Sequence, residues 1–108
     1  MSYSIDATFY FEKQLKRLIK KLPSLKIKFK DLISSLQETP KQGTALGNNC
    51  FKIRLSIASK GKGKSGGARV IIHVQVTQTK IYLLSIYDKS EQSDISDKEL
   101  ENWLDMLP

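Results

Sequence analysis

The chain has 108 residues, which is enough for one domain that buries about two-thirds of the surface its unfolded chain exposes. No apolar run approaches the roughly 20 residues of a membrane span, and the N-terminus lacks a secretory apolar core, so neither insertion nor secretion is expected. A single cysteine excludes an internal disulfide, which is consistent with a reducing cytoplasm.

The formal net charge of +7 is unevenly distributed along the chain. Residues 1–80 contain sixteen Lys or Arg against four Asp or Glu, whereas residues 81–108 contain two against seven. A large basic surface attracts nucleic acid through electrostatic steering and counterion release. Lysine-rich helices are often only solvated faces, but here the cations continue onto predicted strands and a loop, which favours a nucleic-acid partner.

The N-terminal part is predicted to contain one short strand and two helices. Residues 3–7 alternate as a strand does. Apolar residues then recur at helical spacing in two amphipathic stretches: Phe11, Leu15, Leu18, Ile19 and Leu22, followed by Leu25, Phe29, Leu32, Ile33 and Leu36. Pro23 separates the two helices, and Ser24 can cap the second. Helices joined by so short a turn should pack as an antiparallel pair that covers a sheet.

Two alternating segments, FKIRLSI from residue 51 and ARVIIHVQV from residue 68, predict adjacent strands after the polar loop of residues 41–49. In the first segment Lys52 and Arg54 share the outer face, and in the second Arg69 and His73 lie on the polar side. A sheet face with this set of cations suits a polyanion.

The connection between these strands is a basic, glycine-rich loop that carries Lys60, Lys62 and Lys64. Its glycines tolerate unusual backbone angles. Although the loop contains GKS, it lacks the glycine spacing and the following helix of a nucleotide-binding phosphate loop. A flexible hairpin tip that touches a phosphate backbone is the better interpretation, beside the alternative of a loop with no special role.

A further strand, IYLLSIYDK, is predicted from residue 81. Alternation places Tyr82, Leu84 and Ile86 on one side and Leu83, Ser85, Tyr87 and Lys89 on the other. The second set is more polar and is assigned to the cationic face, unless a bulge reverses the assignment.

The last element is predicted to be a short acidic helix. Ser96 and Glu99 form a capping box, and Ile95 with Leu100 forms a hydrophobic staple. The apolar stripe of this helix, which includes Trp103, suits a core position, a detachable element or part of a partner-covered surface.

Taken in order, these elements predict an α+β fold in a single domain over residues 1–108. It comprises a mostly antiparallel twisted sheet, two N-terminal helices packed on one face and a short C-terminal helix. The other face of the sheet is expected to be concave and basic.

The residue types available restrict the chemistry. One histidine, one cysteine and no clustered carboxylates on the strands give no support to a metal site or to paired-carboxylate hydrolysis, and no cofactor is expected. Metal-free cleavage of RNA is open, because the 2′-hydroxyl can attack the neighbouring phosphate if the protein moves protons and offsets charge. Arg and Lys can stabilise that charge, and a lysine crowded by cations can also transfer a proton. His73 is the conventional base, although a strand histidine is more often structural.

The sequence KGKGKSGGARVI, followed by LLSIYDKSEQSDISDKEL, resembles the RelE/HigB family of toxins from bacterial type II toxin–antitoxin modules. The match covers most of residues 49–100. It implies a RelE-like fold and endonucleolytic cleavage of mRNA in the ribosomal A site. It also implies a cognate antitoxin as partner, often a helix-turn-helix DNA-binding protein.

The resemblance further implies a catalytic set of basic residues on the concave sheet face: Lys52, Arg54, Arg69 and Lys89. The implied roles are proton transfer by Lys52 or Arg54, phosphate stabilisation by Arg69 and stabilisation of the leaving group by Lys89. The face alternation had already grouped the same four residues.

The remaining site residues depart from the family pattern or extend it. Some members stack a C-terminal tyrosine on the substrate base, but Ile95 falls near that place, so Tyr87 is the candidate for stacking. Other members use a histidine or glutamate base, which keeps His73 as a candidate. Ribosomal RNA would be contacted by one face of the first helix and by the loop: Lys13, Arg17, Lys20, Lys60, Lys62 and Lys64. Two alternatives stay open, a ParE-like toxin that binds DNA gyrase and a non-enzymatic RNA-binding module.

Overall fold

A computed structural model of the chain describes residues 2–57 and 67–108, which form a five-stranded sheet and three helices. The strands are β1 (Ser4–Ala7), β2 (Thr44–Gly47), β3 (Cys50–Leu55), β4 (Ala68–Gln75) and β5 (Lys80–Asp88), and the helices are α1 (Phe9–Lys21), α2 (Leu25–Glu38) and α3 (Asp97–Asp105). The sheet order is β1-β5-β4-β3-β2, with β1 parallel to β5 and the other pairs antiparallel. The predicted α+β class is confirmed. The predicted contacts of Lys60, Lys62 and Lys64 lie outside the described residues.

Both N-terminal helices pack on the same face of the sheet, as their apolar spacing predicted. Thr8 is the N-cap of α1: its hydroxyl accepts a hydrogen bond from the Phe11 amide at 3.1 Å and donates one to the Leu83 carbonyl at 3.1 Å. The Phe11 ring lies 5.7 Å from that of Phe29 on α2. Ser24 stands at the N-cap of α2, but its side chain makes no capping hydrogen bond. None of the described helices is long and apolar enough to cross a membrane.

Strand β2 lies in a stretch that was predicted to be a loop. The strand is short, and it reaches β3 through a two-residue turn in which Asn48 and Asn49 have φ of 53° and 59°. A turn with two positive φ angles matches the twist of an antiparallel hairpin, and asparagine tolerates these angles better than most residues. The Asn-Asn pair is therefore the sequence signal for this hairpin.

A bulge in β5 places part of the strand on the opposite face from the one predicted. Ser85 lies opposite Ile71 and Leu83 lies opposite Ile72, so Leu84 is the extra residue. The residues after the bulge were assigned correctly, since Tyr87 lies opposite Arg69. Before the bulge the assignment was wrong, because Leu83 packs in the core beneath the helices.

Helix α3 covers part of the opposite sheet face. It begins with the predicted capping box, in which Ser96 and Glu99 satisfy each other's backbone amides. Leu100 packs into a second apolar cluster that includes Ile71, Leu84 and Tyr87. The Trp103 ring stacks on Tyr10 at a centroid distance of 5.8 Å. The face that was predicted to be concave and basic is therefore partly covered by α3.

Candidate functional site

The register of the central strands brings the predicted cations together. Arg54 lies opposite Arg69 across β3 and β4, and Arg69 lies opposite Tyr87 across β4 and β5. These three residues form one row across the sheet, which we call the central row. Lys52 is two residues before Arg54, about 7 Å along β3 from the row, and Lys89 follows the end of β5, two residues after Tyr87. The two lysines lie on opposite sides of the row, because β3 and β5 run parallel to each other.

Arg69 is a buried cation that has no counterion in the described part of the chain. The residue is only 7% exposed, and its Nη1 donates one hydrogen bond to the Ala68 carbonyl at 3.2 Å. Within residues 2–57 and 67–108 no carboxylate forms an ion pair with it, and residues 58–66 contain no Asp or Glu. A buried unpaired charge is costly, and a guanidinium has five N–H donors in a fixed fork. Among the described residues the other guanidinium N–H groups are left as donors of the kind that binds an anion.

Tyr87 supplies a second unused polar group beside Arg69. The residue is 4% exposed, and its hydroxyl has no hydrogen-bond partner in the part of the chain that the structure describes. Burial raises the pKa of Tyr87, the negative charges of Asp94 and Glu99 raise it further, and Arg69 opposes them. The hydroxyl is therefore protonated at neutral pH, and it can donate to an anion once the side chains that cover it move aside. The predicted stacking on a base would require this ring to become exposed.

The site is bounded by residues 90–95, which we call the acidic segment. Lys89 Nζ donates to the Ser93 carbonyl at 2.8 Å, and Lys52 Nζ lies 3.2 Å from Asp94 Oδ1. The pKa of the Asp94 carboxyl is lowered, chiefly by the hydrogen bond from the Ile95 amide and next by the hydrogen bond from Lys52. Asp94 was not predicted as a site residue, because nothing in its local sequence indicates a contact with a strand 42 residues earlier.

The basic face of α1 adjoins the acidic segment. Arg17 Nη2 lies 3.0 Å from Glu91 Oε1, and Lys21 Nζ lies 2.6 Å from Glu91 Oε2. Lys13, Lys16, Arg17 and Lys20 line a shallow depression on the surface of the helix. The predicted contact residues of α1, namely Lys13, Arg17 and Lys20, are thus all exposed, on a helix whose last turns touch the segment beside the site.

His73 lies beyond Lys52, away from the central row. It lies opposite Cys50 and Tyr82, four residues and about 13 Å along β4 from Arg69. Its Nδ1 is 3.5 Å from Cys50 Sγ, and burial lowers the pKa of the imidazole. His73 is thus far from Arg69 but only two residues, about 7 Å, along from the position opposite Lys52, and its role as the base stays a prediction. Among the described residues, no group of three His, Cys, Asp or Glu side chains is arranged to hold a metal ion.

Cys50 is expected to be unreactive in the native protein. Burial raises its pKa from 9.0 to about 11, so at pH 8 the folded chain holds almost no thiolate. A colorimetric thiol reagent at pH 8 should label the native protein slowly and the guanidinium-unfolded protein within minutes. Because the unfolded thiol ionises first, stability should fall as the pH rises from about 9 toward about 11. Rapid stoichiometric labelling of the native protein would contradict the burial of this thiol.

The chain is similar in sequence and in fold to known proteins. The chain matches the family model described as RelE toxin of the RelE/RelB toxin–antitoxin system over residues 8–106. A mutant E. coli RelE toxin in the free state superposes with a TM-score of 0.63 at 17% identity, covering 100% of both chains. The isolated E. coli RelE toxin gives 0.58 at 20% identity, covering 98% of this chain and 100% of the other.

A third similar structure is the intact E. coli RelBE toxin–antitoxin complex. It superposes with a TM-score of 0.60 at 18% identity over 79% of this chain and 94% of the other. At identities this low, the structural likeness establishes the fold, whereas the family match extends over nearly the whole chain.

Proposed function

The chain belongs to the RelE family of toxins from toxin–antitoxin systems, and from this premise we propose that it is a metal-free, ribosome-dependent mRNA endonuclease. The observation that carries the proposal is the buried guanidinium of Arg69 beside the Tyr87 hydroxyl, since within residues 2–57 and 67–108 the first has no carboxylate partner and the second no hydrogen-bond partner. A protein retains such a costly arrangement where it binds an anion, and the scissile phosphate of RNA is an anion whose charge increases in the transition state.

The proposed reaction needs only the RNA and the site. The 2′-hydroxyl loses its proton and attacks the adjacent phosphorus, the bond from phosphorus to the 5′-oxygen breaks, and that oxygen takes up a proton. The products are a 2′,3′-cyclic phosphate and a 5′-hydroxyl. Proton transfer requires a group that can both hold and release a proton near the hydroxyl, and a lysine among other cations meets this requirement.

Each residue of the central row has a proposed role. Arg69 and the Tyr87 hydroxyl donate to the non-bridging phosphate oxygens, where charge accumulates. Arg54, which lies opposite Arg69 and is exposed, adds positive charge at the entrance. Lys52 is the proposed proton-transfer residue, with Arg54 as the alternative, and Lys89 stabilises the leaving oxygen on the other side of the row.

The partners follow from the family and the surface charge. The basic face of α1, together with the loop lysines Lys60, Lys62 and Lys64, is proposed to contact ribosomal RNA beside the site. E. coli RelE is found in a complex with an antitoxin. We propose that this chain likewise has a cognate antitoxin, which neutralises it by binding.

The proposal is tested by primer extension on mRNA from cells that briefly express the chain, and by incubating the purified chain with mRNA. Cuts confined to translated, in-frame positions, and obtained in vitro only with programmed ribosomes, are the expected result. Growth arrest with intact mRNA would contradict the proposal and favour a gyrase-binding toxin. Equal cleavage of free RNA would contradict ribosome dependence alone.

A further inference from the structure

We propose that Asp94 sets the strength of RNA binding, because its carboxylate occupies the place on Lys52 that an RNA phosphate takes in the complex. The inference rests on the proposed function for the identity of the anion, RNA. In the free protein the ion pair between Lys52 and Asp94 closes one side of the site, and RNA must displace the carboxylate to reach that lysine. Asp94 is thus an internal competitor for phosphate.

The geometry places Asp94 among the cations of the site. Its Oδ1 lies 3.2 Å from Lys52 Nζ and accepts a hydrogen bond from the Ile95 amide at 2.8 Å. Lys89, on the other side of the central row, also interacts favourably with the carboxylate. The backbone of the same segment is held by Lys89 through the Ser93 carbonyl. Two of the four proposed catalytic cations are therefore engaged by the acidic segment before any substrate arrives.

The competitor fills only part of the site. Asp94 makes no hydrogen bond to the Tyr87 hydroxyl, which has no partner among the described residues, and Arg69 likewise lacks a carboxylate there. A phosphate has more acceptor oxygens than a carboxylate and can engage Arg69 and Tyr87 as well as a lysine. RNA therefore gains contacts that Asp94 does not make, and these contacts allow it to displace the carboxylate from Lys52.

The exchange is also inexpensive. The Asp94 side chain is 60% exposed and that of Lys52 is 25% exposed, and solvent screening keeps ion pairs of this kind weak. A competitor of this strength weakens RNA binding several-fold without preventing it. Phosphates that reach only Lys52, as in loosely bound RNA, are disfavoured more than a phosphate that also reaches Arg69.

The chain contains a matched control for this ion pair. Asp6 on β1 pairs with Lys80 at the start of β5, also at 3.2 Å, and its side chain is 54% exposed. Asp6→Asn and Asp94→Asn remove the same charge from equally exposed pairs. Lys80 lies on none of the strands that carry Lys52, Arg54 and Arg69, and it stands at the far end of β5 from Lys89. Only Asp94→Asn frees a cation of the site.

The experiment measures binding by fluorescence anisotropy at fixed salt, with the full chain and a single-stranded RNA whose 2′-hydroxyls are methylated to prevent cleavage. Asp94→Asn is expected to tighten binding about three- to fivefold, and Asp6→Asn less than twofold. In a Lys52→Ala background, Asp94→Asn should give no more than the small gain of the control.

Equal gains from Asp94→Asn and Asp6→Asn would overturn the inference, because the effect would then be net charge. Weaker binding by Asp94→Asn would overturn it too, since Asp94 would then organise the site for RNA. Because the readout is binding rather than cleavage, these outcomes are independent of the ribosome-dependent cuts that test the proposed function. If the chain cuts mRNA but the binding results contradict the expectation for Asp94, only the inference about Asp94 is wrong.

Discussion

Replacing Arg69 with methionine is expected to reduce mRNA cleavage by at least about 100-fold and to leave the fold equally stable or about 1 kcal/mol more stable. Cleavage falls because the buried guanidinium is the proposed donor to the phosphate, and preformed donors of this kind are worth two to three orders of magnitude. Stability does not fall, because the cation has no counterion among the described residues and methionine fills a similar volume without a charge. Cleavage with programmed ribosomes and unfolding in guanidinium chloride give the two values.

Opposite effects on activity and stability distinguish a binding site from a structural residue. Lys28→Met on the exposed face of α2 is the control, since it also exchanges a cation for methionine. That variant should keep its cleavage rate within about twofold, because the charge lies away from the central row. A large loss of stability in Arg69→Met would show that the guanidinium holds the fold together. Full activity would remove Arg69 from the site.

The strands and the N-terminal helices were predictable because their periodicity is local. Alternation at Lys52 and Arg54, and again at Arg69, fixes the face on which each side chain stands, and the antiparallel order then makes these strands neighbours. The capping box at Ser96 was predictable for the same reason, as it involves residues three positions apart. Each of these features can be recognised within one segment of the chain.

The features that were missed depend on two segments at once. The bulge at Leu84 shifts the alternation in β5, and only the pairing with Ile71 and Ile72 shows it. Strand β2 has little apolar pattern of its own, and it forms because β3 offers a partner across the turn at Asn48 and Asn49.

The candidate site shows the same division. Face alternation grouped the four cations with His73, but a face carries no information on distance along the strand. His73 is on the same strand as Arg69 and lies about 13 Å away from it. The acidic segment could not be predicted to fold back, because Asp94 meets Lys52 only through the tertiary arrangement of the loop after β5.

At Gly67 a single added methyl group is expected to destabilise the fold strongly. It has a φ of +92° at the start of β4, and a Cβ atom there would lie 2.3 Å from the Leu55 carbonyl oxygen on β3. Its own carbonyl accepts the amide of Lys89 at 2.9 Å. Gly67→Ala should therefore lower the free energy of unfolding by about 3 kcal/mol or more, combining backbone strain with a clash between two strands. The backbone shift should also reduce cleavage, because it moves Lys89 and Arg69, two residues further along.

Gly47 separates these two contributions, because its φ is +91° and a Cβ atom there would meet nothing within 4 Å. Gly47→Ala carries the strain of a positive φ without the clash, so it should cost only about 1–2 kcal/mol and leave cleavage unchanged. Guanidinium unfolding of both variants, beside cleavage assays with programmed ribosomes, measures the difference. Equal losses of stability would mean that β3 and β4 can separate to admit the methyl group. If Gly67→Ala also cleaved mRNA at the normal rate, the reaction would not depend on the distance between β3 and β4 that sets Arg54 against Arg69.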